Sequence, residues 1–247
     1  MENIRFEKLK NGIEIAVSDE HTFGTDALLL ADFAVVHKKD TVVDIGTGCG
    51  IIAFIIKLLH DPAVIYGIDI QKQAADQFAL GIERSELDGM VPLCMDISDM
   101  DPGKVPLGIC GCVICNPPYK AAGQGIQSAG EAQKIARHEI SCGLDDICKA
   151  AARLLKPSGR FYMCNRPERL ADAVCAMRNS GIEPKRVRFV SKTSLSAPWL
   201  FLIEGRRCGR PFMNVMPQLC MYEDGKLSAE LCGIYERITG HDKGGQR

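Results

Sequence analysis

Between residues 41 and 181 the chain alternates short, almost wholly apolar runs with stretches that place apolar residues at helical spacing. The apolar runs are "TVVDIG" (41–46), "VIYGIDI" (64–70), "MVPLCMD" (90–96), "CVICN" (112–116) and "RFYMCN" (160–165). Between and after them come "GIIAFIIKLLH" (50–60), "QKQAADQFALGIERS" (71–85), "IARHEISCGLDDICKAAARLL" (135–155) and "PERLADAVCAMRNSG" (167–181). Two further strands follow, "EPKRVRFVS" (183–191) and "WLFLIEGRR" (199–207). Strands with no polar face must be covered on both sides, and a helix between two strands makes them parallel neighbours. The pattern therefore predicts an open α/β sheet of seven strands, mainly parallel, with helices on both faces. In such sheets ligands bind beyond the carboxyl ends of the strands.

Ahead of this pattern lies a short strand and helix extension, residues 1–36. "GIEIAV" (12–17) reads as half of a hairpin with residues 4–10, and "TDALLLADFAVV" (25–36) as a helix with Thr25 or Asp26 as N-cap. No linker interrupts the chain, so one domain over 1–240 is expected, with a disordered tail at 241–247. A chain of 247 residues suits one sizeable core. No stretch nears the roughly 18 to 20 apolar residues needed to span a bilayer. "MENIRFEKLKNG" lacks the apolar run of a signal peptide. A cytoplasmic protein without membrane contact is expected.

The twelve cysteines lie mostly in apolar runs and read as reduced packing residues, not as a disulfide scaffold. The tightest cluster, Cys110, Cys112 and Cys115, falls within a strand, which offers no loop to wrap a metal ion. Packing is the preferred reading and no metal is expected. Cys115 adjoins Asn116 and is placed to touch a site there. Net charge is -1, but residues 1–155 balance to -8 and residues 156–247 to +7. That asymmetry permits a basic face at one end.

The first chemical motif is "VVDIGTGCGIIAF". Gly46, Gly48 and Gly50 form a turn between strand and helix, where glycine allows positive φ and close backbone approach. Steric need alone would also explain them. Asp69, at the end of the next strand, is the type of acid that accepts from two ribose hydroxyls. Its structural alternative is capping the helix that follows. No phosphate cradle of the G-x-x-x-x-G-K-[ST] type is present. The residues so far leave a dinucleotide open. Asp44 before the turn favours a neutral or cationic ligand, because it would repel a pyrophosphate. S-adenosylmethionine carries an ammonium and a sulfonium, which Asp44 and Asp26 are able to balance. Asp96, ending the third strand, is placed to accept from the cofactor's adenine amino group, or is a loop acid.

The second motif is "NPPY", Asn116–Tyr119, at the end of the fourth strand. Prolines stiffen a turn, but stiffness explains neither Asn116 nor Tyr119. An exocyclic amino nitrogen on a conjugated ring is a poor nucleophile. The Asn116 amide oxygen and the Pro117 carbonyl would each accept one of its N–H groups and turn its lone pair toward a methyl sulfonium. Tyr119 would stack on the ring, and Pro117 and Pro118 would hold the acceptors in place. That is an in-line methyl transfer needing no strong general base.

Taken together, "DIGTGCG", the acid of "YGIDI" and "NPPY" resemble the Rossmann-like, class I S-adenosylmethionine-dependent amino-methyltransferases. "FGTDALLLADF" and "RHE" (137–139) narrow the resemblance to the family that methylates adenine N6 at position 37 of valine tRNA. It runs from about residue 5 to 235. It implies that Thr25 and Asp26 help close the cofactor pocket and that Asp44, Gly46 and Gly48 border the methionine part. Asp69 with Ile70 would hold the ribose, Asp96 with Ile97 would lie at the cofactor adenine, and Asn116 would touch both cofactor and substrate. Pro117, Pro118 and Tyr119 would complete the substrate grip. Cys49 departs from the serine or alanine also common there.

Residues 120–134, with three glycines, read as a mobile loop over the substrate or as a plain surface connection. Lys120, Arg137 and His138 are candidate substrate contacts. Lys185, Arg186 and Arg188, with Arg206, Arg207 and Arg210 beyond, are candidates for phosphate contact or for solvated surface charge. Trp199 reads as core. The expected partner is tRNA, bound by a monomer with no obligatory protein partner. The rival substrates are a release-factor glutamine amide and ribosomal RNA or DNA. A cofactor-binding module without turnover is a further alternative. The short front segment and the absence of a target-recognition domain argue against the glutamine and DNA readings, and the intact "NPPY" against the last.

Overall fold

A computed structural model describes residues 4–117 and 143–240. The front hairpin pairs β1 (Arg5–Lys8) with β2 (Glu14–Val17), antiparallel. Helix α1 (Thr25–Phe33) follows. Gly24, not Thr25 or Asp26, is its N-cap, and no side chain caps it. Thr25 and Asp26 instead sit inside the first turn, where an acid favourably meets the helix dipole. Extended backbone at Ala34 ends the helix before the expected Val36.

The main sheet contains β3 (Thr41–Ile45), β4 (Val64–Asp69), β5 (Met90–Cys94), β6 (Cys110–Cys115), β7 (Leu155–Asn165), β8 (Ile182–Ser191) and β9 (Pro198–Arg207). Their order is β8-β9-β7-β6-β3-β4-β5. β9 runs antiparallel to β7 and β8, and every other pairing among the seven is parallel. Two further strands that the periodicity did not reveal, β10 (Asn214–Val215) and β11 (Leu219–Cys220), pair with the outer edge of β8. They are two residues each, too short to show a period. A small hairpin, β12 (Tyr222–Glu223) with β13 (Lys226–Leu227), leads into the last helix.

The helices are α2 (Ile51–His60), α3 (Lys72–Arg84), α4 (Leu144–Leu154), α5 (Leu170–Asn179) and α6 (Ala229–Thr239). "KPSG" does not separate α4 from the next strand as a free turn. It lies within the span of β7, where the register against β6 jumps from Cys110↔Leu155 to Cys112↔Arg160. Ser228 caps α6, its hydroxyl accepting from the Leu231 N–H at 3.2 Å.

Adjacent strand residues enter opposite cores, which explains the lack of a polar face. Val42, Ile114, Tyr162 and Leu202 pack on the side of α1, α2 and α6. Val43, Val113, Phe161 and Phe201 pack on the side of α4 and α5. Each such fully buried aliphatic or aromatic side chain contributes about 1.5–3 kcal/mol.

The chain runs outward through β3, β4 and β5, then returns to place β6 on the other side of β3. The turns after β3 and β6 therefore diverge and open a crevice between them. One ring fixes the turn after β3. Phe78 of α3 is fully buried, and a Cβ at Gly50 would lie 2.1 Å from its Cδ2. A Cβ at Gly67 of β4 would lie 2.3 Å from Cε1 of the same ring. Glycine is required at both positions by this close approach.

Candidate active site

The crevice holds a cavity of about 380 Å³ beyond the carboxyl ends of β3, β4, β5 and β6. That volume falls within the usual range for small-molecule sites. Gly46 and Gly48 border it with φ of +69° and +55°, and a Cβ on either would meet nothing within 4 Å. Glycine is needed here for backbone conformation alone, whereas at Gly50, with φ of +84°, both backbone conformation and close approach require it. The Gly46 and Thr47 N–H groups both donate to the Ile68 carbonyl, at 2.8 and 3.0 Å, which ties the turn to β4.

Asp69 joins the two turns. Its Oδ2 accepts from the Gly48 N–H and its Oδ1 from the Gln71 N–H, each at 2.9 Å. It supports the start of α3 and lines the cavity, and a carboxylate offers about four acceptor positions, of which these bonds take two. Asp96 also lines the cavity, and its Oδ1 accepts from the Ser98 N–H at 2.8 Å and the Ser98 hydroxyl at 2.7 Å. Ile70 and Ile97 flank these acids on the wall, and Ile70 is 43% exposed.

Asp44 is not on that wall. It is 1% exposed beneath the turn, where its Oδ2 accepts from the Thr47 hydroxyl at 2.8 Å. Its Oδ1 has no partner among the described residues. Burial pushes the Asp44 carboxyl up to about 7, against the Thr47 hydrogen bond and assisted by the charge of Asp69.

Asn116 follows β6 at the cavity's edge, with Pro117 buried beside it. Its amide is oriented from both ends. Nδ2 donates to Asp26 Oδ2 at 3.1 Å, and Oδ1 accepts from the Cys164 thiol at 3.0 Å. A carboxylate only accepts, so it sets which end of the amide is nitrogen. Thr25 and Asp26 do not line the first cavity. They line a second one of about 420 Å³, together with Arg166, Lys192, Trp199, Met221 and Tyr222.

Several candidates fall elsewhere. Pro118, Tyr119, Lys120, Arg137 and His138 lie outside the described residues. Lys185 donates to the carbonyls of Arg210, Pro211 and Phe212 at 3.0, 3.2 and 2.8 Å. Arg186 is paired with Glu204 and lies 4.8 Å from the centre of the Phe33 ring. Arg188 makes a two-pronged pair with Glu230 at 2.7 and 2.8 Å and also donates to the Pro217 carbonyl. These three fasten the C-terminal segment to β8 and are not brought to either cavity. Cys110 and Cys112 are buried in β6, and burial raises both thiols, Cys110 to about 12. Cys115 lines the first cavity. Among the described residues, no group of three His, Cys, Asp or Glu side chains is placed to hold a metal ion.

Sequence reasoning passed over His21, Gln71 and Asp146, which also line the first cavity. His21 is buried, and its Nε2 has no partner among the described residues. The tight loop that positions it, where the His21 N–H donates to the Ser18 hydroxyl at 3.1 Å, carries no motif. The donor set of this cavity fits S-adenosylmethionine. Acids surround it, an unfilled imidazole nitrogen faces burial, and apolar Ile70 and Ile97 stand ready for a flat ring.

A parallel sheet with this strand order, a glycine turn after β3, an acid after β4 and an amide after β6 together define a Rossmann-like class I methyltransferase, dependent on S-adenosylmethionine. Residues 17–175 match the family model described as the methyltransferase small domain, and the chain belongs to that family. A tRNA1(Val) (adenine(37)-N6)-methyltransferase of Photobacterium profundum is 25% identical over 213 residues, 85% of this chain and 88% of the relative. An enzyme with the same name from Tolumonas auensis is 27% identical over 220 residues, 87% of this chain and 88% of that one. Among solved structures, a predicted O-methyltransferase from Agrobacterium tumefaciens superposes with a TM-score of 0.68 at 15% identity, covering 86% of this chain and 96% of that one. M. jannaschii TYW2 in complex with AdoMet superposes with a TM-score of 0.55 at 14% identity, covering 83% and 86%.

Proposed function

We propose that the enzyme methylates the exocyclic N6 amino group of adenine in tRNA, with adenine 37 of valine tRNA as the target. One observation carries this reading. The Asn116 amide, clamped by Asp26 and Cys164, stands between an acid-lined cavity and a second cavity with cationic and aromatic walls. The relatives with a tRNA1(Val) name, which align over most of both chains, support the same substrate.

On this reading Asp69 and Ile70 hold the ribose, while Asp96 and Ile97 lie at the cofactor's adenine. Gly46 and Gly48 border its methionine end, and Asp44 acts on it only through the turn. When bound, S-adenosylmethionine supplies an electrophilic methyl group. Asn116 Oδ1 and the Pro117 carbonyl accept the two N–H groups of the target and direct its lone pair at that methyl. A nitrogen–carbon bond forms, a sulfur–carbon bond breaks, and the amine's surplus proton leaves to water. The contribution of the chain is placement and fixed dipoles.

The test offers radiolabelled cofactor to unmodified valine tRNA, ribosomal RNA and a release-factor protein, with nucleoside mass spectrometry of the products. N6-methyladenosine mapped to position 37 of valine tRNA is expected. Label confined to the release factor would move the substrate to a glutamine amide.

A further inference from the structure

The second cavity has its own chemistry. Its more buried wall is Thr25 and Asp26 at the start of α1, and Asp26 is the residue bonded to Asn116. Its exposed side carries Arg166, just beyond β7, Lys192, just beyond β8, and Tyr222 of β12. The Lys192 carbonyl accepts from the Tyr222 N–H at 2.8 Å, so one backbone bond joins the two residues on this side of the cavity. The Lys192 ammonium has no acid partner among the described residues. Trp199 lines the cavity, with the Arg166 guanidinium 5.6 Å from its ring centre and donating to its carbonyl at 3.1 Å. The indole Nε1–H is buried and has no acceptor among the described residues.

We propose that this cavity receives the nucleotide next to the target adenine in the RNA substrate, its amino-bearing base edge turned inward to Asp26 and its phosphate outward to Lys192 and Arg166. The inference rests on the tRNA reading above and gives it a location. Trp199 and Tyr222 supply the faces on which a splayed-out base stacks, and stacking of this kind needs no sequence-specific hydrogen bond. Asp26 accepts from an amino group and repels a carbonyl, so the inner wall favours adenine over a base with oxygen in that position. The two cations at the rim neutralise phosphate.

The experiment measures binding of fluorescent, unmodified valine tRNA by anisotropy across a potassium chloride series, with S-adenosylhomocysteine affinity followed by calorimetry. Lys192→Gln is expected to lower the slope of log affinity against log salt by about one. Tyr222→Ala is expected to weaken tRNA binding roughly tenfold. Both are expected to leave S-adenosylhomocysteine affinity within about twofold. Trp199 also packs against the core, so Trp199→Phe, which keeps a ring and removes the N–H, is the variant to use there. If the wild-type enzyme methylates tRNA while Lys192→Gln and Tyr222→Ala keep wild-type affinity and salt slope, this inference falls and the proposed function stands. If the wild type methylates only a protein glutamine and no RNA, both fall.

Discussion

The two cavities are similar in size, about 380 and 420 Å³, and opposite in character. Among the described residues, the first is lined by Asp69, Asp96 and Asp146 and by neither lysine nor arginine. Among the same residues, the second carries Arg166 and Lys192 against a single acid, Asp26. The Asn116–Asp26 hydrogen bond links one to the other. On the proposed reading, a cationic methyl donor and a polyanionic RNA meet separate fields, with a clamped amide between them.

That division can be broken from either side. The largest effect is expected at the junction. Asn116→Ala should reduce turnover by about 10²–10³, comparable to loss of one fixed dipole at a reacting centre, while cofactor affinity holds within a few-fold. Single-turnover kinetics and calorimetry read the two quantities separately, and wild-type turnover in this variant would remove the amide from the mechanism. Next comes the acidic side. Asp69→Ala should weaken cofactor binding roughly 10- to 100-fold through loss of charge-assisted hydrogen bonds, and leave tRNA affinity alone.

A smaller effect follows from Asp44. Its carboxyl titrates near 7 in the fold and near 3.9 in an unfolded chain, so between those values the folded state binds more protons. Its contribution to stability is fully present below the unfolded value and is lost as pH rises through about 7. Denaturation midpoints should fall over that window, and Asp44→Asn should flatten the fall. Cofactor affinity should move the other way, gaining up to about tenfold per pH unit as the carboxylate forms beneath a cationic ligand. Calorimetry in buffers of different ionisation enthalpy would detect the released proton. The smallest effect is expected far from both cavities. Arg188→Gln should cost under about 1 kcal/mol by breaking its pair with Glu230, with no change in the salt slope of tRNA binding. A lowered slope would show that the basic strand reaches RNA after all.

Much of the acidic cavity was legible because the residues singled out for it sit at or just after the end of an apolar strand. Gly46 and Gly48 follow β3, Asp69 ends β4, Asp96 follows β5 and Asn116 follows β6. The sheet order alone then brings them together. Asp44 shows the limit of that logic, since the strand buries it one step below the surface its neighbours line. The second cavity was illegible for the opposite reason. Arg166, Lys192, Trp199 and Tyr222 come from the ends of three strands and a hairpin of two-residue arms, and no local pattern links them. Trp199 was read as core, and it does pack against the core while also lining the cavity. Lys185, Arg186 and Arg188 looked available because their acceptors, the Phe212 carbonyl, Glu204 and Glu230, lie far along the chain. Lys192, four residues beyond Arg188, has no such partner among the described residues and was not singled out.

Phe78 has a consequence for how this site is able to vary. Its ring occupies the space that side chains at positions 50 and 67 would fill, and so sets the separation of the turns that carry Gly48 and Asp69. The three positions pack as one unit. A side chain added at position 50 or 67 requires a smaller residue at 78, and shrinking Phe78 alone would let the two turns draw together. For an engineer, that ring is a handle on the spacing of the turns after β3 and β4, set behind the Gly48–Asp69 hydrogen bond.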